Sequence, residues 1–403
     1  MQTFLDPEYA RSPVGKEADA ILRKCVHCGL CNATCPTYQL LGDELDGPRG
    51  RIYLIKQLLE GEEPGDQIPL HLDRCLTCRN CETACPSGVE YSRLLGIGRE
   101  TLSQGHSRRS VWHWIHRGLA GVIANPVLFG WFLRTGGLFR PLMPKFLKSR
   151  VPVPGISRYR HTEGAAHPRK MIALSGCVQG TLAPDTNRAT ARVLDRLGIS
   201  LVEVPGAGCC GSLDLHTTSE DRARARARVL IDHWFPYLDQ GVEGFVMTAS
   251  GCGVTIREYP HLFREDAQYR EKATQISRRT FDLCEILEKE IDDGYAMDAT
   301  PRKVAFHSPC TLQHGQKLKG RVEAILEKAG HELVEVPDSH TCCGSAGVYS
   351  LFHPVISDQL REKKLQNLRK NQPDVICTAN VGCQSHLALG GGQPVMHWVE
   401  LLV

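Results

Sequence analysis

The sequence predicts an α+β multidomain protein: a helical N-terminal domain followed by a duplicated α/β unit. Three observations predict it. Cysteines crowd the first hundred residues within a pattern that offers helical rather than strand periodicity. The second half repeats itself, with the same cysteine arrangement twice. Within each copy, short apolar runs alternate with helical patterns, the signature of a mainly parallel sheet. Four segments follow: 1–105, 106–168, 169–300 and 301–403.

The chain has 403 residues, a net charge of +3 and 18 cysteines. That length suits two to three domains with substantial cores. The near-balanced charge excludes a polyanion binder by net charge alone. The start, Met1-Gln2-Thr3-Phe4-Leu5-Asp6-Pro7-Glu8, lacks the basic and then apolar pattern of a secretory signal. No run reaches the eighteen or so apolar residues of a membrane span. The expected setting is the cytoplasm, where clustered cysteines bind metal or react rather than form disulfides.

The N-terminal domain carries two cysteine runs. One reads Cys25-Val-His-Cys28-Gly-Leu-Cys31-Asn-Ala-Thr-Cys35-Pro36, the other Cys75-Leu-Thr-Cys78-Arg-Asn-Cys81-Glu-Thr-Ala-Cys85-Pro86. Both are C-x2-C-x2-C-x3-C-P, the spacing that holds [4Fe–4S] clusters, with the fourth thiolate serving the other cluster. The expected sets are Cys25, Cys28, Cys31 and Cys85 for one cluster, and Cys75, Cys78, Cys81 and Cys35 for the other. Zinc also uses C-x2-C pairs but does not account for a third cysteine and C-P, twice. Between the runs lie 39 residues. There Ile52, Leu54, Ile55, Leu58 and Leu59 fall at helical spacing, with Gly61 and Pro64 as stop signals. Arg49 and Arg51 at its start have two readings: neutralising cluster or partner charge, or a solvated helix end.

From Thr101 to Lys170 there are twelve Lys/Arg and one acid, Glu163. Trp112, Trp114 and Trp131 lie here, and Phe129, Phe132, Phe139 and Phe146 interleave with Arg117, Arg134, Arg140, Lys145 and Lys148. Gly and Pro interruptions exclude one long helix. The composition suits a surface of anionic lipid or a partner interface, and it also suits core packing followed by an extended basic linker, Arg150 to Lys170, marked by Pro152 and Pro154.

The duplication aligns Ser175-Gly-Cys177, Leu201-Val-Glu-Val-Pro205, Cys209-Cys210-Gly211 and Ala249-Ser-Gly-Cys252 with Ser308-Pro-Cys310, Leu333-Val-Glu-Val-Pro337, Cys342-Cys343-Gly344 and Asn380-Val-Gly-Cys383. The lone cysteine precedes the pair by 32 positions in both copies. Strand-like runs begin at Met171 and Lys303 and recur at Gly244 and Val375, with helices at Thr190 to Leu197 and Arg321 to Lys328. Cysteines at strand ends converge where open α/β sheets place their sites. Neighbouring thiolates suit several bridged irons, and the glycine permits an unusual backbone angle beside them. A vicinal disulfide, buried free thiols and zinc are the other readings. Cys284 and Cys377 sit in apolar patterns and read as core. His307 and His314, near Cys310, read as structural or as groups beside the site.

These residues resemble the cysteine-rich "CCG" domains of heterodisulfide reductase subunits, which hold [4Fe–4S] clusters. A helical two-cluster ferredoxin followed by two such domains resembles the iron–sulfur subunits of the glycolate oxidase, D-lactate dehydrogenase and anaerobic glycerol-3-phosphate dehydrogenase group. Tyr38 to Arg51, Asp73 to Cys81 and Pro337 to Gly344 resemble the glycolate oxidase branch most closely. The resemblance implies further clusters, or zinc, on Cys177, Cys209, Cys210 and Cys252 and on Cys310, Cys342, Cys343 and Cys383. The family ends its motif in C-x-x-C; here Ala249 and Asn380 replace the first of those cysteines. It implies a subunit of an oxidoreductase acting on CH–OH with an acceptor other than NAD or oxygen. It further implies that a FAD-containing 2-hydroxy acid dehydrogenase partner oxidises glycolate and that electrons pass to membrane quinone, with this chain peripheral on the inner face of the cell membrane. D-lactate is the alternative substrate, and a reduction site within the repeats the alternative role. The chain itself shows no G-x-G-x-x-G after a strand and no catalytic constellation, so no flavin, substrate oxidation or nucleic-acid recognition is expected of it.

Overall fold

A computed structural model describes residues 1–104, 111–139, 166–217, 219–291 and 300–403, with residues 155 and 157. Residues 1–104 are helical, with no strand. Helix Pro13–Lys24 starts on the Ser12 side chain, which accepts the Gly15 N–H. Helix Pro48–Leu59 places proline at its first turn and ends at Glu60, as the apolar spacing and stop signals predict. It packs with Pro13–Lys24 and Tyr91–Gln104 around Leu22, Ile55, Leu59, Leu72 and Leu94. Cys25, Cys75 and Cys81 belong to that same core, so thiols take up part of its small apolar volume.

The bridge forms two helices, Val111–Ile123 and Pro126–Phe139, broken at Asn125 and Pro126 rather than at its glycines. The Asn125 side chain accepts the N–H groups of Val127 and Leu128 and starts the second. Most of the expected linker, including Pro152 and Pro154, lies outside the described residues, as do Arg140, Lys145, Phe146 and Lys148.

Each repeat is a four-stranded, all-parallel sheet with matching order. The first holds β1 (Arg169–Ala173), β2 (Ile199–Glu203), β3 (Gly244–Met247) and β4 (Thr280–Asp282), ordered β2-β1-β3-β4. The second holds β5 (Lys303–His307), β6 (Glu332–Leu333), β7 (Val375–Thr378) and β8 (Val395–His397), ordered β6-β5-β7-β8. Helix Arg321–Lys328 has the expected bounds; its counterpart Pro184–Arg196 starts earlier than expected, because Pro184 fits the first helical turn. β6 is shorter than its sequence run suggests, although Val334 continues the pairing by donating to Val304 O. Both last strands end in a capping box, Asp282 with Glu285 and His397 with Glu400.

One apolar cluster spans both repeats, joining Val246 and Leu283 to Val304, Phe306 and Trp398. Cys284 and Cys377 are buried in it, as expected of core residues. Among the described residues, no helix is long and apolar enough to cross a membrane.

Candidate metal centres

The first four-thiol set surrounds a hollow open to solvent. Cys25, Cys28, Cys31 and Cys85 line it, with Cys81 at its back. Burial pushes the Cys31 thiol up to about 11, with Cys25, Cys85 and Cys28 adding to it. Cys28 is exposed, and so are Val26 and Leu30 on either side of it. A second hollow is lined by Cys35, Cys75, Cys78 and Cys81. The fold thus brings each four-thiol set together, with Cys81 lining both hollows. Each loop turns through two left-handed residues at matching places, His27 and Gly29, then Thr77 and Arg79.

The second set is more buried than the first and has polar support. Arg51, 1% exposed, donates to His71 O at 2.7 Å and to Thr37 Oγ1 at 3.1 Å, and stands 3.9 Å from Cys35 Sγ. The fully buried Asp46 gathers Arg51, Arg74 and His71. Of the two readings of Arg51, a solvated helix end is excluded; Arg49 is half-exposed on Glu44 at the rim of the first hollow. Tyr91 donates its hydroxyl to Cys75 Sγ at 3.6 Å. Hydrogen bonds to sulfur and nearby charge are what set the potential of an iron–sulfur centre.

In each repeat the four cysteines converge, from the end of the first strand, the Cys-Cys-Gly turn and the N-terminus of the helix after the third strand. In the first, Cys177 and Cys210 both hydrogen-bond Cys209, and Cys252 hydrogen-bonds Cys210. The bonds from Cys177 and Cys210 hold the Cys209 thiol well below its ordinary value and those of its two donors well above. In the second, Cys310 contacts Cys342, Cys342 contacts Cys343, and Cys343 Sγ lies 3.3 Å from Cys383 Sγ. Gly211 and Gly344 take φ of +88° and +92°, the unusual angle expected there. Each donates its N–H at 3.4 Å to the first thiol of its pair, Cys209 or Cys342. Four thiols meeting without a disulfide are a donor set for iron–sulfur chemistry, and the residues fit such a group.

The repeats differ at the two replaced positions and beside them. Ala249 and Asn380 are the N-cap residues of the cysteine-bearing helices; Asn380 Nδ2 reaches Cys383 Sγ at 3.7 Å, while Ala249 offers no donor. His307 is buried with both ring nitrogens unpartnered, and burial holds it well below the usual histidine range. His314 instead bridges Thr83 Oγ1, at 2.9 Å, and His340 O, at 3.1 Å, which gives it a structural role between the two halves. Sequence reasoning missed Lys364, buried near Cys343 and Cys342, with Nζ donating to Asp338 O at 2.8 Å. Burial lowers it to about 8. Its signal was an inward helical position, four residues after Leu360.

The sets also lie against one another. Cys78, Cys310 and Cys342 share one small apolar cluster with Leu76 and Tyr349. Tyr349 donates to Arg74 O at 2.9 Å, and Asn80 to His340 O at 3.3 Å. Ser250, two residues before Cys252, donates its N–H to Ala379 O at 3.0 Å, so the cysteine-bearing helices of the two repeats start side by side. The bridge covers the first repeat's site: Ala124 packs on Cys177 and Cys209, and Arg222 and Arg226 donate to Arg117 O and Ala124 O.

Fold and sites together define an iron–sulfur electron-transfer protein with a two-cluster domain and two cysteine-rich domains. Family models agree: a 4Fe-4S dicluster domain matches residues 21–89, and a cysteine-rich domain matches residues 172–257 and 304–388. The chain is 49% identical to the glycolate oxidase iron-sulfur subunit of Escherichia coli K12, over 100% of this chain and 98% of that one. It is 30% identical to the probable glycolate oxidase iron-sulfur subunit of Bacillus subtilis 168, covering 95% and 93%. The chain belongs to the glycolate oxidase iron–sulfur subunit family. A hypothetical protein from Helicobacter pylori shares the fold at a TM-score of 0.55 and 9% identity, over 98% of this chain and 72% of that one.

Proposed function

We propose that this chain carries electrons from a flavoprotein partner that oxidises glycolate toward quinone in the membrane. The first cluster rests on Cys25, Cys28, Cys31 and Cys85, the second on Cys75, Cys78, Cys81 and Cys35. Two further groups rest on the cysteines of the repeats. The ends of the four segments, 1–105, 106–168, 169–300 and 301–403, mark the carrier domains and the bridge between them. When bound, the clusters supply one-electron redox states between a two-electron flavin and a two-electron quinone. Oxidation of glycolate to glyoxylate releases two electrons and two protons, and quinone takes up two of each.

The observation that carries this reading is the contiguity of the sites. The exposed Cys28, rimmed by Val26 and Leu30, is the entry. The second set touches the second repeat, and the repeats meet at Ser250 and Ala379. The first repeat's site lies under the bridge, the exit. There helix Pro126–Phe139 buries Phe129, Gly130 and Leu133 and turns Val127, Leu128, Trp131 and Phe132 outward. An outward apolar face in a basic segment suits the interface of an anionic membrane, which supports a peripheral position on it.

The test is to mix the purified chain with its flavoprotein and add glycolate. Bleaching of cluster absorbance is expected only with both proteins present. Glycolate turnover by this chain alone would sink the relay.

A further inference from the structure

The second repeat offers a donor that the first lacks. His307 is 1% exposed, at the end of β5, and neither ring nitrogen meets a hydrogen-bond partner. One of those nitrogens and the Sγ atoms of Cys343 and Cys383 all lie within 4.8 Å of one another. Ligands sharing one tetrahedral metal ion, with bonds of about 2.0–2.3 Å, stand roughly 3.5 Å apart, so this trio needs little movement to close on one iron. Three residues before the lone cysteine, the first repeat has the buried apolar Leu174 where the second has His307. Three residues before the last cysteine it has Ala249 where the second has Asn380. Both changes add nitrogen chemistry on the same side of the site, at Cys343 and Cys383. A buried imidazole with no partner calls for an explanation, and a bound metal is one.

The geometry points to His307 as a nitrogen ligand of an iron–sulfur group in the second repeat, alongside its thiolates, while the first repeat's site is all-thiolate. This rests on the reading that the repeat cysteines hold iron–sulfur groups. A neutral imidazole holds a cluster's potential above that of a thiolate at the same position. The second repeat's group therefore titrates above that of a chain with cysteine at position 307, and Asn380, donating to Cys383 Sγ, acts in the same direction.

The test uses the full chain, loaded with iron and sulfide anaerobically and grown with 14N- or 15N-histidine. Pulsed EPR of the reduced protein is expected to show an imidazole nitrogen coupling on a signal that Cys343→Ser abolishes. The coupling changes with the isotope and is lost in His307→Leu, which copies the first repeat. His307→Cys keeps the iron count, loses the coupling and shifts that signal's midpoint potential downward. The labelled unsubstituted chain decides the matter even if a variant fails to fold. A third cluster signal without nitrogen coupling, or a coupling that persists in His307→Leu, overturns the histidine ligand alone. Iron and sulfide for the two N-terminal clusters only overturn both this inference and the reading beneath it.

Discussion

Two side-chain-scale features do much to hold the sites in shape. The first is the glycine after each cysteine pair. A Cβ at Gly344 would stand 2.7 Å from Ser357 O, and one at Gly211 3.0 Å from Ala223 O, both backbone atoms of packed helices. Left-handed backbone costs an ordinary residue about 1–2 kcal/mol before any contact is counted. Gly344→Ala is therefore expected to lose iron from the second repeat and lower the melting temperature, with Gly211→Ala milder. Iron analysis with thermal unfolding checks it, and equal retention of iron in both variants would contradict it. The second feature is Arg51. Removing one partner from a buried ionic group costs about 3–5 kcal/mol, because the other charge stays behind unpaired. Arg74 and His71 still face Asp46, so Arg51→Met belongs at the lower end of that range. Losing a positive charge 3.9 Å from Cys35 Sγ also favours the oxidised cluster. An EPR-monitored redox titration should place the corresponding potential lower than in the unsubstituted chain.

Secondary-structure elements divide sharply into those the sequence announces and those it does not. Helix Pro48–Leu59 was legible because its apolar residues fall on one face between Pro48 and Glu60, and Arg321–Lys328 for the same reason. The cysteine sets were legible because ligand spacing is a local property. β4 and β8 were not: each is three residues long, and pairing with β3 or β7 defines it more than its own pattern does. Nor did spacing reveal that Lys364 faces thiols, or that His307, read beside Cys310, faces Cys343 and Cys383, since those contacts come from distant segments. The bridge helices are intermediate. Their aromatic and basic content was plain, but only the packing of Ala124 on Cys177 tells which site they cover. It also tells which side faces out, with Trp131 60% and Val127 77% exposed. Replacing Trp131 and Phe132 together by serine removes apolar area from the outward face alone. The double variant should keep its clusters and its fold but bind anionic vesicles much more weakly. Cosedimentation measures this, and wild-type binding in the unsubstituted chain should itself fall with salt, as the basic component is screened. Unchanged cosedimentation of the variant would remove this helix from the membrane contact.

At the scale of the molecule, the two halves depend on their metal to different degrees. The N-terminal core is small, and Cys25, Cys75, Cys81 and the partly buried Cys31 and Cys85 belong to it. The thiols line two hollows open to solvent. Without iron, burial first and the neighbouring thiols second push the partly buried Cys31 thiol up. The sheet half is different. Its main cluster runs through both repeats on Val246, Leu283, Phe306, Trp398 and their neighbours, and its only cysteines are Cys284 and Cys377, which face no site. Binding free energy of a structural metal centre is folding free energy for the unit that depends on it. Anaerobic removal of iron with a chelator should therefore unfold residues 1–104 while the sheets persist. Limited proteolysis read by mass spectrometry should show early cuts in helices Pro13–Lys24 and Pro48–Leu59, with a protected core that starts near β1. Thermal unfolding of the stripped chain should keep one cooperative transition, belonging to the repeats. If the N-terminal helices stay as protected as the sheets after the iron is gone, their core stands without the clusters, and the dependence argued from its thiols is wrong.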